Sequence, residues 1–141
     1  MLPATNLALT LPLGWFDHAN EDVRELWNHS DDTRGVLQVS RFIPEQAAFV
    51  AAQADLGALA GEMGRQLGGK VGTWGRVQGT KEATCALGRL GVAVFVEGQF
   101  PSMLLFVAAS QTDAYLWTYL GPDPSAREVN DATQIVLTAK V

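Results

Sequence analysis

The chain has little cysteine, no cluster of positive charge and no long hydrophobic run, and each shortage excludes a class of function. Cys85 is the only cysteine among 141 residues, so an internal disulfide and a thiolate-based zinc site are excluded. Lysine and arginine never occur three in a row and the formal net charge is −5, so nucleic acid and anionic membranes are not expected partners. The longest apolar run, Met103 to Ala109, is far shorter than the roughly 18 residues that cross a bilayer, so membrane insertion is not expected.

The N-terminus also lacks the pattern of a secretory signal. Residues 1–6 contain neither a basic region nor a long apolar segment, which indicates a cytoplasmic protein. Hydrophobic residues make up 48% of the chain and charged residues 18%, a composition typical of folded proteins and not of disordered ones. The length predicts a single domain covering residues 1–141.

The stretch from Gly91 to Leu120 determines the predicted architecture. Two of its segments, residues 91–96 and 102–108, are apolar at consecutive positions. Because successive strand residues point to opposite sides, these strands must be covered on both faces. The sequence therefore predicts an α+β fold with helices packed on a central antiparallel sheet, an α/β/α sandwich.

The rest of the chain supplies further strands and two substantial helices. Asp55 is predicted to cap a helix that ends at Gly68 and Gly69, and Ser125 and Glu128 form a capping-box pattern before the C-terminal helix. Three glycines inside the first helix are expected to let its backbone approach the sheet, namely Gly57, Gly61 and Gly64. Five more strands are predicted, at residues 7–11, 23–28, 36–42, 70–80 and 83–87.

Three local features accompany this order of elements: residues 11–15, Leu-Pro-Leu-Gly-Trp; residues 39–42, Val-Ser-Arg-Phe; and Ala132, Ile135 and Thr138 in the last helix. With them the chain resembles the PsbP-like superfamily, and within it the small bacterial DcrB-like domains. The resemblance implies an α/β/α sandwich without catalytic residues. That superfamily includes a photosystem accessory subunit, a Ran-binding transport factor, and dimeric cytoplasmic chaperones that shelter apolar helices of type VI secretion effectors.

No catalytic constellation emerges from the residues themselves. Residues 64–70 match part of a phosphate-binding loop, but Val71 stands where a Mg²⁺-binding Ser or Thr is required, and a predicted helix precedes the loop where one should follow it. Cys85 lies in an apolar stretch with no histidine nearby, which is typical of a buried small side chain. The protein is therefore not expected to be an enzyme, and no cofactor is predicted.

The densest group of potential metal ligands surrounds one predicted strand. His18 and His29 lie at its opposite ends and could share a metal only if the chain folded back. The simpler interpretation is a pair of solvated acidic turns, so no metal is predicted; a metal or small-ligand site at His18 and His29 is the alternative. The acidic residues of this group are Asp17, Glu21, Asp22, Glu25, Asp31 and Asp32.

The aromatic residues of the last predicted strand suggest a binding surface. Tyr115, Trp117 and Tyr119 alternate along the strand, so all three lie on one face. Tyr and Trp bury large apolar areas while keeping a polar group, which favours interfaces. With Trp27 or Trp74 on a neighbouring strand they are expected to form an aromatic floor.

Either a helix of the same chain or a partner could cover this floor. Two helices, each about 10 Å wide, do not easily cover both faces of a sheet of six or more strands. We therefore predict a non-catalytic protein-binding module, an accessory or chaperone-like adaptor that presents an apolar aromatic sheet face. Its expected partner is a protein or peptide, with a homodimer included.

Overall fold

The computed structural model describes residues 1–19, 23–28, 35–71, 74–122 and 126–141. Within those residues the chain forms an eight-stranded antiparallel sheet with helices packed on it. The strands are β1 (Leu2–Pro3), β2 (Trp15–Ala19), β3 (Arg24–Asn28), β4 (Val36–Arg41), β5 (Arg76–Cys85), β6 (Gly88–Val96), β7 (Ser102–Ala109) and β8 (Ala114–Gly121). The helices are α1 (Pro44–Ala51), α2 (Leu56–Val71) and α3 (Ala126–Thr138).

The strand order is β2-β3-β4-β8-β7-β6-β5, and the short β1 pairs with β4 beyond the end of β3. β2, β3 and β4 are consecutive neighbours in the sheet, and α1 and α2 then connect β4 to β5 at the far edge. The chain returns through β6 and β7, and β8 closes the sheet against β4. The sheet therefore joins two antiparallel runs of strands at the β4–β8 pair.

The apolar strands in the middle of the chain are covered on both faces, as predicted. On β7, Leu104 and Phe106 belong to one buried cluster, and Met103 and Leu105 belong to the other. The first cluster includes residues of α3, and the second includes residues of α1 and α2. The predicted α/β/α sandwich is confirmed, and the two sides are called the α3 face and the α1–α2 face below.

Glycines bring α2 directly onto the sheet, in agreement with the sequence-based expectation. A Cβ atom on Gly57 would lie 2.5 Å from the backbone oxygen of Lys81 on β5, and a Cβ on Gly64 would collide with the ring of Phe95. Asp55 caps this helix as predicted, since its Oδ1 accepts the Ala58 N–H at 3.1 Å. α2 continues to Val71, so the predicted end at Gly68 and Gly69 is wrong.

Two predicted strands are also corrected. Residues 7–11 are not a strand, and their strand-like pairing is limited to a single bridge between Ala8 and Lys140. The segment lies over the α3 face, where Leu7 is buried. The strands expected at 70–80 and 83–87 are one strand, β5, which pairs with β6 from Arg76 to Cys85. Residues 70 and 71 belong to α2. β2 was not predicted from the sequence.

Candidate functional site

The predicted aromatic floor is part of the protein core. Tyr115, Trp117 and Tyr119 share one face of β8 as expected, and all three are fully buried in the cluster beneath α3. The N-terminal segment completes the cover, with Ala4 and Leu7 packed into the same cluster. The expectation that these three side chains form an exposed surface is therefore wrong. The N-terminal segment covers the part of this sheet face that α3 alone would leave exposed.

Hydrogen bonds hold the two tyrosines in this core. The Tyr119 hydroxyl donates to Glu128 Oε1 at 2.7 Å, and Asn28 Nδ2 donates to Glu128 Oε2 at 3.3 Å. Asn6 Nδ2 donates to the Tyr115 hydroxyl at 2.7 Å, and burial raises the pKa of Tyr115. These contacts give the aromatic residues of β8 a structural role in the core.

Glu128 was predicted to reach back to Ser125 in a capping box. Ser125 lies outside the described residues. The Glu128 carboxylate instead faces Tyr119 and Asn28, and its side chain is buried. The third position after Ser125, where a capping box places a Glu, is thus occupied by a residue that bonds α3 to the sheet.

The other two predicted aromatic residues lie on the opposite side of the sheet from the buried floor. Trp27 pairs with Val36, which pairs with Leu120, and Leu120 points away from Tyr119. Trp74 precedes β5 and is buried on the α1–α2 face, where its ring meets Phe95 edge-on at 5.0 Å. Neither tryptophan joins the predicted floor, although Trp27 contributes to a different surface.

That surface is the part of the α1–α2 face formed by β2, β3, β4 and the adjoining side of β8. In the described part of the chain, the principal helix contacts on this side fall on β5, β6, β7 and β8. Strand register aligns Phe16, Trp27, Val36 and Leu120 in an apolar row across four strands. Phe16 is 53% exposed, and the other three are half-buried.

A polar row runs parallel to the apolar one. The same register aligns His18, Glu25, Gln38 and Thr118. His18 stacks on Trp27 with ring centroids 4.5 Å apart, and the Trp27 indole N–H donates to Glu25 Oε2 at 2.9 Å. We call the two rows together the open face.

A trough connects the open face with the cleft between α1 and α2. A depression of about 290 Å³ lies over the open-face end of β8, and depressions of about 490 Å³ and 600 Å³ follow along α2. Adjacent depressions share residues: the first two share Leu67 and Leu116, and the last two share Met63 and Gln66. The three depressions therefore lie next to one another along α2, and we call them together the trough, with α2 as a wall.

The alternative metal site depended on His18 and His29. His18 is an exposed residue of the open face, and His29 lies outside the described residues. Among the residues that the structure describes, no three or more His, Cys, Asp or Glu side chains are grouped to hold a metal ion. Asp17 of this acidic region bonds to Arg24 at 2.8 Å, so its position is explained by an ion pair.

No direct signal in the sequence marks the open face, because this face consists of alternate residues from four strands. In β3 the neighbours Leu26 and Trp27 point to opposite faces, and only the pairing with β4 shows which of them is covered. Periodicity within one strand identifies two faces, but it does not identify the face that a helix covers.

None of the described helices is long and apolar enough to cross a membrane. The chain matches no family model, and no curated protein is significantly similar to it.

Proposed function

We propose that this protein is a cytoplasmic, non-catalytic protein-binding module that docks a protein partner on the open face and the adjoining trough. The observation that carries the proposal is the apolar row Phe16–Trp27–Val36–Leu120, which runs across four strands on the side of the sheet that α1 and α2 leave largely uncovered. Sheet faces with apolar rows are normally buried against another layer. A partner would provide a layer over the part of the row that the described helices leave exposed.

The chemistry of the surface supports docking. An exposed Phe beside a half-buried Trp is typical of interface centres, where aromatic side chains supply most of the binding energy. The parallel polar row, with Gln38 and Thr118, offers hydrogen bonds that would fix the orientation of the partner. Amide, hydroxyl and aliphatic groups dominate the trough, which suits contact more than proton transfer.

The proposal keeps the adaptor or chaperone-like role expected from the sequence and moves its surface to the other face. The resemblance to the PsbP-like superfamily and its DcrB-like members suggests the same kind of role. It adds no residue-level support, because the aromatic residues named from the sequence lie mainly in the core.

Site-specific photo-cross-linking in the native cell tests the proposal. A benzophenone amino acid at Phe16 or Val36 samples the open face, and the same amino acid at Gln134 samples the exposed surface of α3 on the opposite side. We expect one defined protein to be captured from both open-face positions and not from Gln134. The purified partner should then bind the wild type and lose most of its affinity for Phe16→Asp.

Capture of the same protein with equal yield from Gln134 would contradict the proposal. Unchanged binding of the purified partner to Phe16→Asp would also contradict it. Phe16 is an exposed edge-strand residue, so this substitution is expected to leave the fold intact.

A further inference from the structure

We propose that the segment docked in the trough is an amphipathic α-helix with positively charged residues flanking its apolar stripe. This inference rests on the proposed function and specifies the partner of the same surface. It follows from three properties of the trough: its shape, its shortage of backbone hydrogen-bonding groups, and the sign of its charges.

The shape fits one helix. Leu59, Met63 and Leu67 recur every four residues along α2 and line the trough, so they extend over roughly 12 Å of helix axis at 1.5 Å per residue. Leu116, on β8, forms part of the floor. A trough of this length accommodates about two turns of helix, which is the span of apolar anchors at i, i+3, i+4 and i+7.

The lining also favours a helix over an extended strand. The wall is the side of α2 and the floor is a sheet face, and the backbone groups of both are already used in helix and sheet hydrogen bonds. An extended segment placed there would have to bury its own N–H and C=O groups with few partners, at a substantial cost per group. A helix satisfies those groups internally and presents only side chains.

The charge of the trough selects a cationic partner. Among the described residues that line it, the charged side chains are Asp55 and Glu62, both in the depression between α1 and α2, and no lysine or arginine is included. Arg65 pairs with Glu62 at 2.8 Å, but both side chains are more than half exposed, so the pair remains accessible to another cation. The formal net charge of −5 adds a long-range attraction for a basic segment.

The same charges disfavour a second copy of this chain. A two-fold interface through the trough would place both copies of its acidic side chains, Asp55 and Glu62, in one interface. Like charges at an interface oppose association. A basic helix from another protein would instead place opposite charges next to each other, which favours association.

The test uses two synthetic peptides of about 18 residues, a length at which helices become measurably stable. Both carry leucine at i, i+3, i+4 and i+7; one carries lysine at the flanking positions, and the other carries glutamine there. Affinity is measured by titration calorimetry, and the site is located by NMR shifts of the Met63 and Leu116 methyl groups. We expect the lysine peptide to bind about tenfold more tightly at low salt, with the difference shrinking as salt is added.

Matched variants separate local from general electrostatics. Glu62 and Glu97 are both more than half exposed and both pair with an arginine, but only Glu62 lines the trough. Glu62→Gln should weaken binding of the lysine peptide by about threefold, the usual size of one surface charge pair, and Glu97→Gln should not change it. Gln66→Lys, inside the trough, should weaken it further, whereas Gln134→Lys on α3 should have little effect.

Each other outcome overturns a specific statement. Equal affinity of the two peptides, with Met63 and Leu116 still shifted, would refute the cationic partner and leave the proposed docking function standing. If neither peptide shifts these methyl groups while the cross-linked partner still binds the open face, the helical occupant is wrong. If the protein dimerises in sedimentation experiments and Gln66→Lys abolishes the dimer, the occupant is a second copy.

Discussion

The Tyr119 hydroxyl and Glu128 Oε1 lie 2.7 Å apart in the core, and this hydrogen bond ties the first turn of α3 to the middle of the sheet. Gly35 packs against both groups, and a side chain at that position would collide with them. The pair helps to explain why α3 covers β8, which buries the aromatic residues that sequence analysis assigned to the surface.

Tyr119→Phe should destabilise the protein by about 1–3 kcal/mol, because it removes a donor from a buried carboxyl group while keeping the aromatic ring. The free energy of unfolding from urea titration measures the effect. Glu97→Gln serves as the control, since this exposed carboxylate should contribute within about 0.5 kcal/mol. A neutral Tyr119→Phe would mean that the hydrogen bond does not stabilise the attachment of α3.

Much of the fold could be predicted from local patterns. The consecutive apolar residues of β6 and β7 required cover on both sides, and Asp55 marked the start of α2. The end of α2 could not be predicted in this way. Glycine costs a helix only about 1 kcal/mol per residue, an amount that tertiary packing can offset, and the helix continues to Val71.

The candidate site was harder to predict, because its position depends on which face of the sheet each helix and the N-terminal segment cover. The alternation of Tyr115, Trp117 and Tyr119 correctly placed them on one face, but nothing local shows that residues 4–11 fold back over that face. Trp27 was correctly singled out as an aromatic of interest, yet its side of the sheet follows only from the β3–β4 register. Long-range pairing carries that information, and single-strand periodicity does not.

Two glycines of α2 should respond differently to replacement by alanine. Gly64→Ala places a methyl group into the ring of Phe95, so we expect a loss of about 1–3 kcal/mol from overpacking. In Gly61→Ala the nearest neighbour of the new methyl group is the Thr80 methyl carbon at 3.0 Å, and the gain of about 1 kcal/mol in helix propensity should roughly offset that contact. Thermal unfolding of both variants measures the difference in stability between them. Equal melting temperatures would show that α2 does not pack this closely on β6.

Glu82 should make stability depend on pH in the acidic range. Its Oε1 accepts the Leu56 N–H at 3.0 Å and pairs with Arg89 at 2.6 Å, and these two contacts, the first above all, lower the pKa of Glu82. A carboxyl group with a lowered folded-state pKa stabilises the protein above its unfolded-state pKa of about 4.3, and this contribution is lost as the pH falls through the folded-state value.

The difference in unfolding free energy between the wild type and Glu82→Gln should therefore be largest near neutral pH and should shrink below about pH 4. Denaturant titrations across this range measure it. Gln78→Ala, an exposed change on the same strand that removes no titratable group, provides the reference. A difference that stays constant with pH would show that Glu82 gains nothing from Leu56 and Arg89.

Trp117 and Trp27 should behave differently when each is changed to alanine, because they lie on opposite faces of the sheet. Trp117 is fully buried beneath α3, so Trp117→Ala should leave a cavity and cost about 3–5 kcal/mol of stability. Trp27 is half-buried on the open face, so Trp27→Ala should cost clearly less stability and should instead weaken binding of the docked partner. Urea titrations of the isolated variants, followed by calorimetric titration with the partner captured by cross-linking, separate the two effects. A Trp117→Ala protein that is as stable as the wild type but binds the partner poorly would place the docking surface on the α3 face, as the alternation of aromatic residues in the sequence suggests.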